Sequence, residues 1–237
     1  MILRSKRGEE KAPRPYKGYL IALEGVSGVG KTTILEELSR RLQDLGYAVY
    51  TKPNLLHYRE KGIGFKIKQI LSEHGDKFLR IGSPVVAALL IAAKRAYDIQ
   101  NFILPALNSG MLVIADRAIA TYYAYHLIDL KNAFPHISDK DLLMWLSEID
   151  RLGGITPDMT FYLYTNFWTA IRRSEARDKI RYTDSELEYI RKLLEAYDKV
   201  LREIPGVRKI DVTDKTVTEV CEILVQEILK RVHSYDF

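Results

Sequence analysis

One eight-residue stretch constrains this chain more than any other. Gly25-Val26-Ser27-Gly28-Val29-Gly30-Lys31-Thr32 matches G-x-x-x-x-G-K-[ST] in full. Its glycines let successive backbone N–H groups turn inward around phosphate oxygens, an approach that a Cβ would block. The lysine then reaches the β- and γ-phosphates, and the Thr32 hydroxyl is a hard oxygen ligand of the kind Mg²⁺ takes. Such a loop works only between a strand and a helix N-terminus, whose dipole adds to the anion site. Here Tyr19 to Leu23 (YLIAL) reads as a buried parallel strand. After the loop, Ile34, Leu35, Leu38, Leu42 and Leu45 recur at helical spacing until Gly46. Both requirements are met. Gly25, Val26, Ser27, Gly28, Val29, Gly30, Lys31, Thr32 and Thr33 are therefore expected to hold a nucleoside triphosphate.

The remaining chain alternates in the same way. Apolar runs at Tyr47–Thr51, Met111–Ala115, Met159–Tyr164 and Val207–Val212 read as strands. Ser83-Pro84 is an N-cap pair opening a helix to about Asn108, with Pro105 kinking its last turn. Further helical stretches run over Ser138–Leu152, Trp168–Arg181, Asp184–Glu203 and Thr216–Val232. Strands in regular alternation with helices predict an α/β fold. The expectation is a P-loop NTPase architecture of three layers, α/β/α, with a five-stranded parallel sheet and a helical lid. Residues 18–237 are expected to form one domain. Residues 1–17, charged and with two prolines, are expected to form a flexible basic extension.

Composition excludes several classes. The one cysteine, Cys221, leaves no intrachain disulfide framework or Cys-rich zinc module, and it sits among apolar residues of a helix. The longest apolar run, Val85 to Ala93, is nine residues, whereas a membrane span needs roughly 20. A soluble, cytoplasmic protein without membrane partners is expected. The net charge of +5 and a pI near 9.1 indicate affinity for anions without naming them. Nucleic acid is not expected as a partner, because its only support is the pI and the basic N-terminal stretch.

Two further signals narrow the chemistry. Asp116 ends a strand, where open α/β sheets bind ligands, and there it can hold the Mg²⁺ shell opposite Thr32. Arg117 follows, where many P-loop ATPases carry a water-activating Glu, and an arginine suits phosphate on a second substrate. Downstream lies a basic helix with Arg172, Arg173, Arg177, Lys179 and Arg181. Arg173 and Arg177 share a helical face, as a lid over a transferring phosphoryl group requires, while Arg172 points about 100° away. His126 is one of five scattered histidines without metal-ligand spacing.

Together these residues resemble the thymidylate kinase family of P-loop nucleoside monophosphate kinases. The likeness is carried by Leu23 to Thr33, Leu89 to Arg95, Pro105 to Gly110, Val113 to Arg117 with Thr121 and Ala124-Tyr125, and Pro157-Asp158 with Thr160 to Leu163. The resemblance implies a nucleotide-kinase domain over residues 18–237. It implies transfer of the γ-phosphoryl of ATP to dTMP in dTTP biosynthesis, with Mg²⁺ on Thr32 and Asp116, in a homodimer. It makes Lys31, Asp116, Arg173 and Arg177 catalytic and adds Arg172 to the ATP side. It places Arg95 on the thymine carbonyl, Arg117 and Lys68 on the acceptor phosphate, Thr121 in the substrate signature and Tyr125 against the sugar or base. Gly28 resembles the group whose catalytic arginine stands in the lid. Ser27 replaces the family's P-loop carboxylate, Ile91 its stacking aromatic, and Ala118 and His126 two signature residues. Other deoxynucleotides or nucleosides as acceptor, and a P-loop nucleotide-binding protein without kinase activity, are the alternative readings.

Overall fold

The computed structural model describes residues 16–53, 55, 62–73 and 75–234. The expected N-terminal extension lies outside the described residues except for Tyr16 and Lys17. Strand β1 (Tyr19–Glu24) is buried at every position and leads through the glycine loop into α1 (Lys31–Asp44). Then come β2 (Val49–Lys52), α2 (Ile63–Ser72) and α3 (Pro84–Asp98). A π-helical segment (Ile99–Ile103) joins α3 to α4 (Leu104–Asn108). Strand β3 (Leu112–Asp116) precedes α5 (Ile119–Ala133) and α6 (Asp139–Asp150). The chain continues through β4 (Met159–Tyr164), α7 (Phe167–Asp178), α8 (Asp184–Glu203), β5 (Val207–Asp211) and α9 (Val217–His233).

The five strands form one parallel sheet in the order β2-β3-β1-β4-β5. Strand β1 is therefore central, and the loop that follows it opens at the carboxyl edge of the sheet, between the ends of β3 and β4. Alternation along β1 divides the core. Tyr19, Ile21 and Leu23 pack with Leu38 and Leu42 of α1, while Leu20 packs with Val113, Ala115, Ile103 and Leu107. Burying each such leucine or isoleucine contributes about 1.5–3 kcal/mol. Among the described residues, no helix is long and apolar enough to cross a membrane.

Several local expectations are corrected. The helix after Ser83 is interrupted by a widened turn in which the Leu104 N–H bonds to the Ile99 carbonyl, just before Pro105, which has no N–H to give. Ser83 sits at the N-cap of α3 but makes no side-chain cap bond. The basic helix ends at Asp178, not Arg181, because Lys179 turns left-handed at φ 53°. Helices α8 and α9 start in full capping boxes, Thr183 with Glu186 and Thr216 with Glu219. Helices α2 and α5 had no counterpart in the sequence reading.

Candidate active site

The glycine loop takes its shape from three left-handed or otherwise glycine-type positions, Gly25, Gly28 and Gly30 (φ 136°, 86° and 88°). At Gly28 space is also closed: a Cβ there would collide with the main-chain carbonyl of Ala170 in α7. The phosphate loop therefore lies directly against the first turns of the expected lid. Lys31 is buried at the start of α1, and its Nζ donates to the Val26 carbonyl at 2.8 Å. Burial, then the neighbouring positive charge of Arg117, holds its pKa well below the usual lysine range, against the pull of Asp116 and Glu24. Thr32 Oγ1 donates to Asp116 Oδ2 at 3.1 Å, so the hydroxyl and the carboxylate from two separate elements meet.

Beside the loop runs a cavity of about 790 Å³. Val26, Ser27, Gly28, Gly30, Lys31, Thr32 and Thr33 border one end of it. The other end is lined by aromatic and cationic side chains. Arg95 of α3 is buried there and grips Asp150 through Nε and Nη2, at 3.0 and 3.1 Å, with its guanidinium over the Tyr122 ring. His126, from the next turn of α5, lies edge-on to the same ring at 5.0 Å. Its buried Nδ1 has no hydrogen-bond partner among the described residues. Burial and then the charge of Arg95 push its pKa down to about 3, so the ring is neutral. Ile91 borders the cavity as an aliphatic wall, and Phe78, whose ring lies tilted against that of Tyr189 at 4.4 Å, supplies an aromatic one from outside the signature.

Arg117 is held in an unusual way. It has φ 70°, a left-handed conformation that costs an L-residue about 1 kcal/mol. The strain is fixed by its N–H on the Leu23 carbonyl at 3.0 Å. Its Nη1 donates to the Gly25 carbonyl, Tyr197 and Thr121 at 2.8, 3.2 and 3.4 Å, and its guanidinium lies 5.8 Å from the Tyr125 ring. Helix α5 begins just after, with no local capping side chain. Its cap comes from another strand. Glu24, fully buried at the end of β1, accepts the N–H groups of Ala118, Ala120 and Thr121 through Oε1 and the Thr121 hydroxyl through Oε2.

Over the cavity, α7 presents Arg173 and Arg177 to the lining, and Arg172 is not part of it. Arg173 donates to the Thr213 carbonyl at 3.2 Å, Arg177 grips Asp178 at 2.7 Å, and exposed Arg172 reaches Thr169 at 3.3 Å. The turn beyond α7 is tied to the aromatic end of the cavity: Lys77, which lines it, donates through Nζ to the Arg181 carbonyl at 3.3 Å and to Glu186 at 3.1 Å.

Of the remaining expected site residues, Thr121 and Tyr125 border the cavity, while Lys68 does not; the residue α2 sends into the lining is Leu71. Glu24 and Tyr197 enter the site without a sequence motif, because their partners lie 94 and 80 residues away from them. Lys52, next to Pro53, likewise reaches the cavity without one, with Asp98 Oδ2 3.9 Å from its Nζ. Burial, then the charge of Lys94, pushes the Lys52 ammonium down to about 7.

A triphosphate loop at one end, an arginine-rich aromatic compartment at the other and a helical roof over both define the class: this is a P-loop nucleotide kinase. A family model for thymidylate kinase matches residues 23–223, and the chain belongs to that family. It is 31% identical over 192 residues to the thymidylate kinase of Thermoanaerobacter sp. (strain X514), covering 80% of this chain and 86% of that one. It is 29% identical over 225 residues to the enzyme of Sulfurihydrogenibium sp. (strain YO3AOP1), covering 90% and 98%. The solved structure of thymidylate kinase from Candida albicans superposes with a TM-score of 0.69 at 25% identity, over 92% of this chain and 95% of that one. The chain is accordingly a nucleotide-binding phosphotransferase that uses ATP and phosphorylates dTMP to dTDP.

Proposed function

We propose that the reaction is carried out by the residues of this cavity in the following roles. The loop from Gly25 to Thr33 binds the phosphates of ATP. An oxygen of the dTMP phosphate attacks the γ-phosphorus, and the β,γ-bridging oxygen leaves with ADP. Catalysis of such a transfer is positioning plus charge stabilisation. Lys31 supplies charge at the β- and γ-oxygens. Arg173 and Arg177 of α7 supply it over the transferring group, after leaving Thr213 and Asp178. Arg117 holds the acceptor phosphate, Tyr125 lies against the sugar, and Arg95 with the neighbouring α5 face recognises the base. Phe78 offers the stacking surface that Ile91 lacks.

Mg²⁺ fits the residues present. Thr32 and Asp116 offer one hydroxyl and one carboxylate, the hard donors this ion takes alongside water and phosphate oxygens. When bound, the ion neutralises charge on the β- and γ-oxygens.

The observation that carries this reading is the convergence of Lys31, Asp116, Arg117, Arg173 and Arg177 on one cavity. The test is ADP release from ATP, measured across all common nucleoside monophosphates with and without Mg²⁺. The highest kcat/KM is expected for dTMP, with no turnover in chelator; a different preferred acceptor would reassign the base compartment. The homodimer is supported by Ile63, Ile70, Val86, Leu89 and Met144 on α2, α3 and α6, each about 45% exposed. Sedimentation is expected to return twice the chain mass, and a monomer at micromolar concentration would remove the dimer.

A further inference from the structure

Tyr197 is the largest fully buried side chain among the described residues, and α8 carries it to a place directly behind the acceptor compartment. Its ring packs 5.2 Å from that of Tyr162, and its hydroxyl faces Arg117 Nη1 at 3.2 Å and Thr121 Oγ1 at 2.7 Å. The direction of each bond follows from counting protons. Thr121 has one hydroxyl proton, and it goes to Glu24 Oε2. Tyr197 must then donate to Thr121, which leaves a tyrosine lone pair to accept from Arg117. The result is an ordered relay, Arg117 to Tyr197 to Thr121 to Glu24, ending on a carboxylate that also caps α5.

We infer that Tyr197 is a positioning residue for the acceptor: its hydroxyl sets the direction of the Arg117 guanidinium, and it links that direction to the helix that follows the lid. The inference rests on the reading of Arg117 as the contact of the acceptor phosphate. Arg117 has a strained backbone and a long side chain, so a fixed partner for Nη1 decides where its other donors point. Helix α8 starts at Asp184, shortly after α7 ends, and α5 packs along it. A shift of α8 reaches Arg117 through this hydroxyl, while the Gly25 carbonyl and the Thr121 hydroxyl hold the same Nη1 from the phosphate loop and α5.

The test is a cycle of four proteins: parent, Tyr197→Phe, Arg117→Ala and the double variant. Each is measured for KM and kcat with the preferred monophosphate and with ATP, beside thermal melts. Phenylalanine keeps the ring packing and removes only the lone pair and proton. Tyr197→Phe is expected to raise the monophosphate KM about 10- to 100-fold, as for one lost hydrogen bond to a charged group, with ATP KM and kcat within about 3-fold. In the Arg117→Ala background the same change is expected to add nothing. An unchanged monophosphate KM overturns the inference, and so does an equal effect in both backgrounds, or a parallel rise of both KM values with a lowered melt. If Arg117→Ala itself leaves the monophosphate KM unchanged, the reading of Arg117 fails, and this assignment with it. Should Tyr197→Phe not fold, Thr121→Val cuts the relay one link further on and is judged by the same cycle.

Discussion

At the scale of single residues, the site concentrates charge where the sheet ends, and the consequences are measurable. Lys31 is buried against its own loop, so Lys31→Ala is expected to lower kcat by about 10²-fold or more, the loss typical of a major electrostatic contact. Activity within about 3-fold of the parent would remove it from the chemistry. Asp129 gives a pH signature. Burial pushes its carboxyl up to about 6 from 3.8, against the Tyr189 hydrogen bond and the charge of Arg80. The native state therefore binds the extra proton between those values. This contribution to stability is full below pH 3.8 and is lost as pH rises through about 6. Asp129→Asn is expected to raise the melting temperature at pH 8 and to do little at pH 4. Equal shifts at both pH values would contradict it. Residues of the loop were legible in the sequence because their chemistry is local: eight consecutive positions and a helix start. Glu24 and Tyr197 were not, since a glutamate ending a strand and a tyrosine inside a helix carry no sign of partners that arrive from other elements.

At the scale of elements, the lid helix lies directly against the phosphate loop. Gly28 faces the Ala170 carbonyl without room for a methyl group. Gly28→Ala is expected to raise the ATP KM at least about 10-fold and to cost about 1–3 kcal/mol of stability, through overpacking and the left-handed backbone. A parental ATP KM would show that α7 yields freely. Arg173→Ala and Arg177→Ala, on the exposed side of the same helix, are expected to lower kcat by about 10- to 100-fold, with stability within about 0.5 kcal/mol. Arg172→Ala is expected to be milder; three parental kcat values would make the cluster a solvated face. Periodicity made α1, α6, α8 and α9 readable because each has one wet face. It failed for α5, where Tyr122, Tyr123, Ala124, Leu127, Ile128 and Leu130 are all buried, so no polar stripe marks the helix. Its start is equally hidden, because the cap is Glu24 of β1. The end of α7 was misjudged because the basic pattern continues past the left-handed Lys179.

At the scale of the whole molecule, the strand count and the parallel architecture followed from the alternation of elements, but the order β2-β3-β1-β4-β5 did not. Which strand lies beside which is decided by crossover packing, as in Leu20 against Val113 and Leu107. Because the site draws on β1, β3, α5, α7 and α8 together, ligand and fold stability are linked. A non-hydrolysable ATP analogue at about 100 times its Kd is expected to add about 2.7 kcal/mol, or very roughly 5–10 °C in Tm. A flat melting curve would argue against a preformed site. The central position of β1 also bears on synthesis. The strand that precedes the phosphate loop is made before both of its neighbours in the sheet, which begin at Leu112 and Met159. At about 5–20 residues per second, translation leaves that strand short of a partner on one side for on the order of ten seconds. A growing chain thus carries a hydrophobic strand with an open edge until Met159–Tyr164 has left the ribosome. The segment from Tyr19 to Glu24 is where a chaperone that guards nascent chains would be needed first.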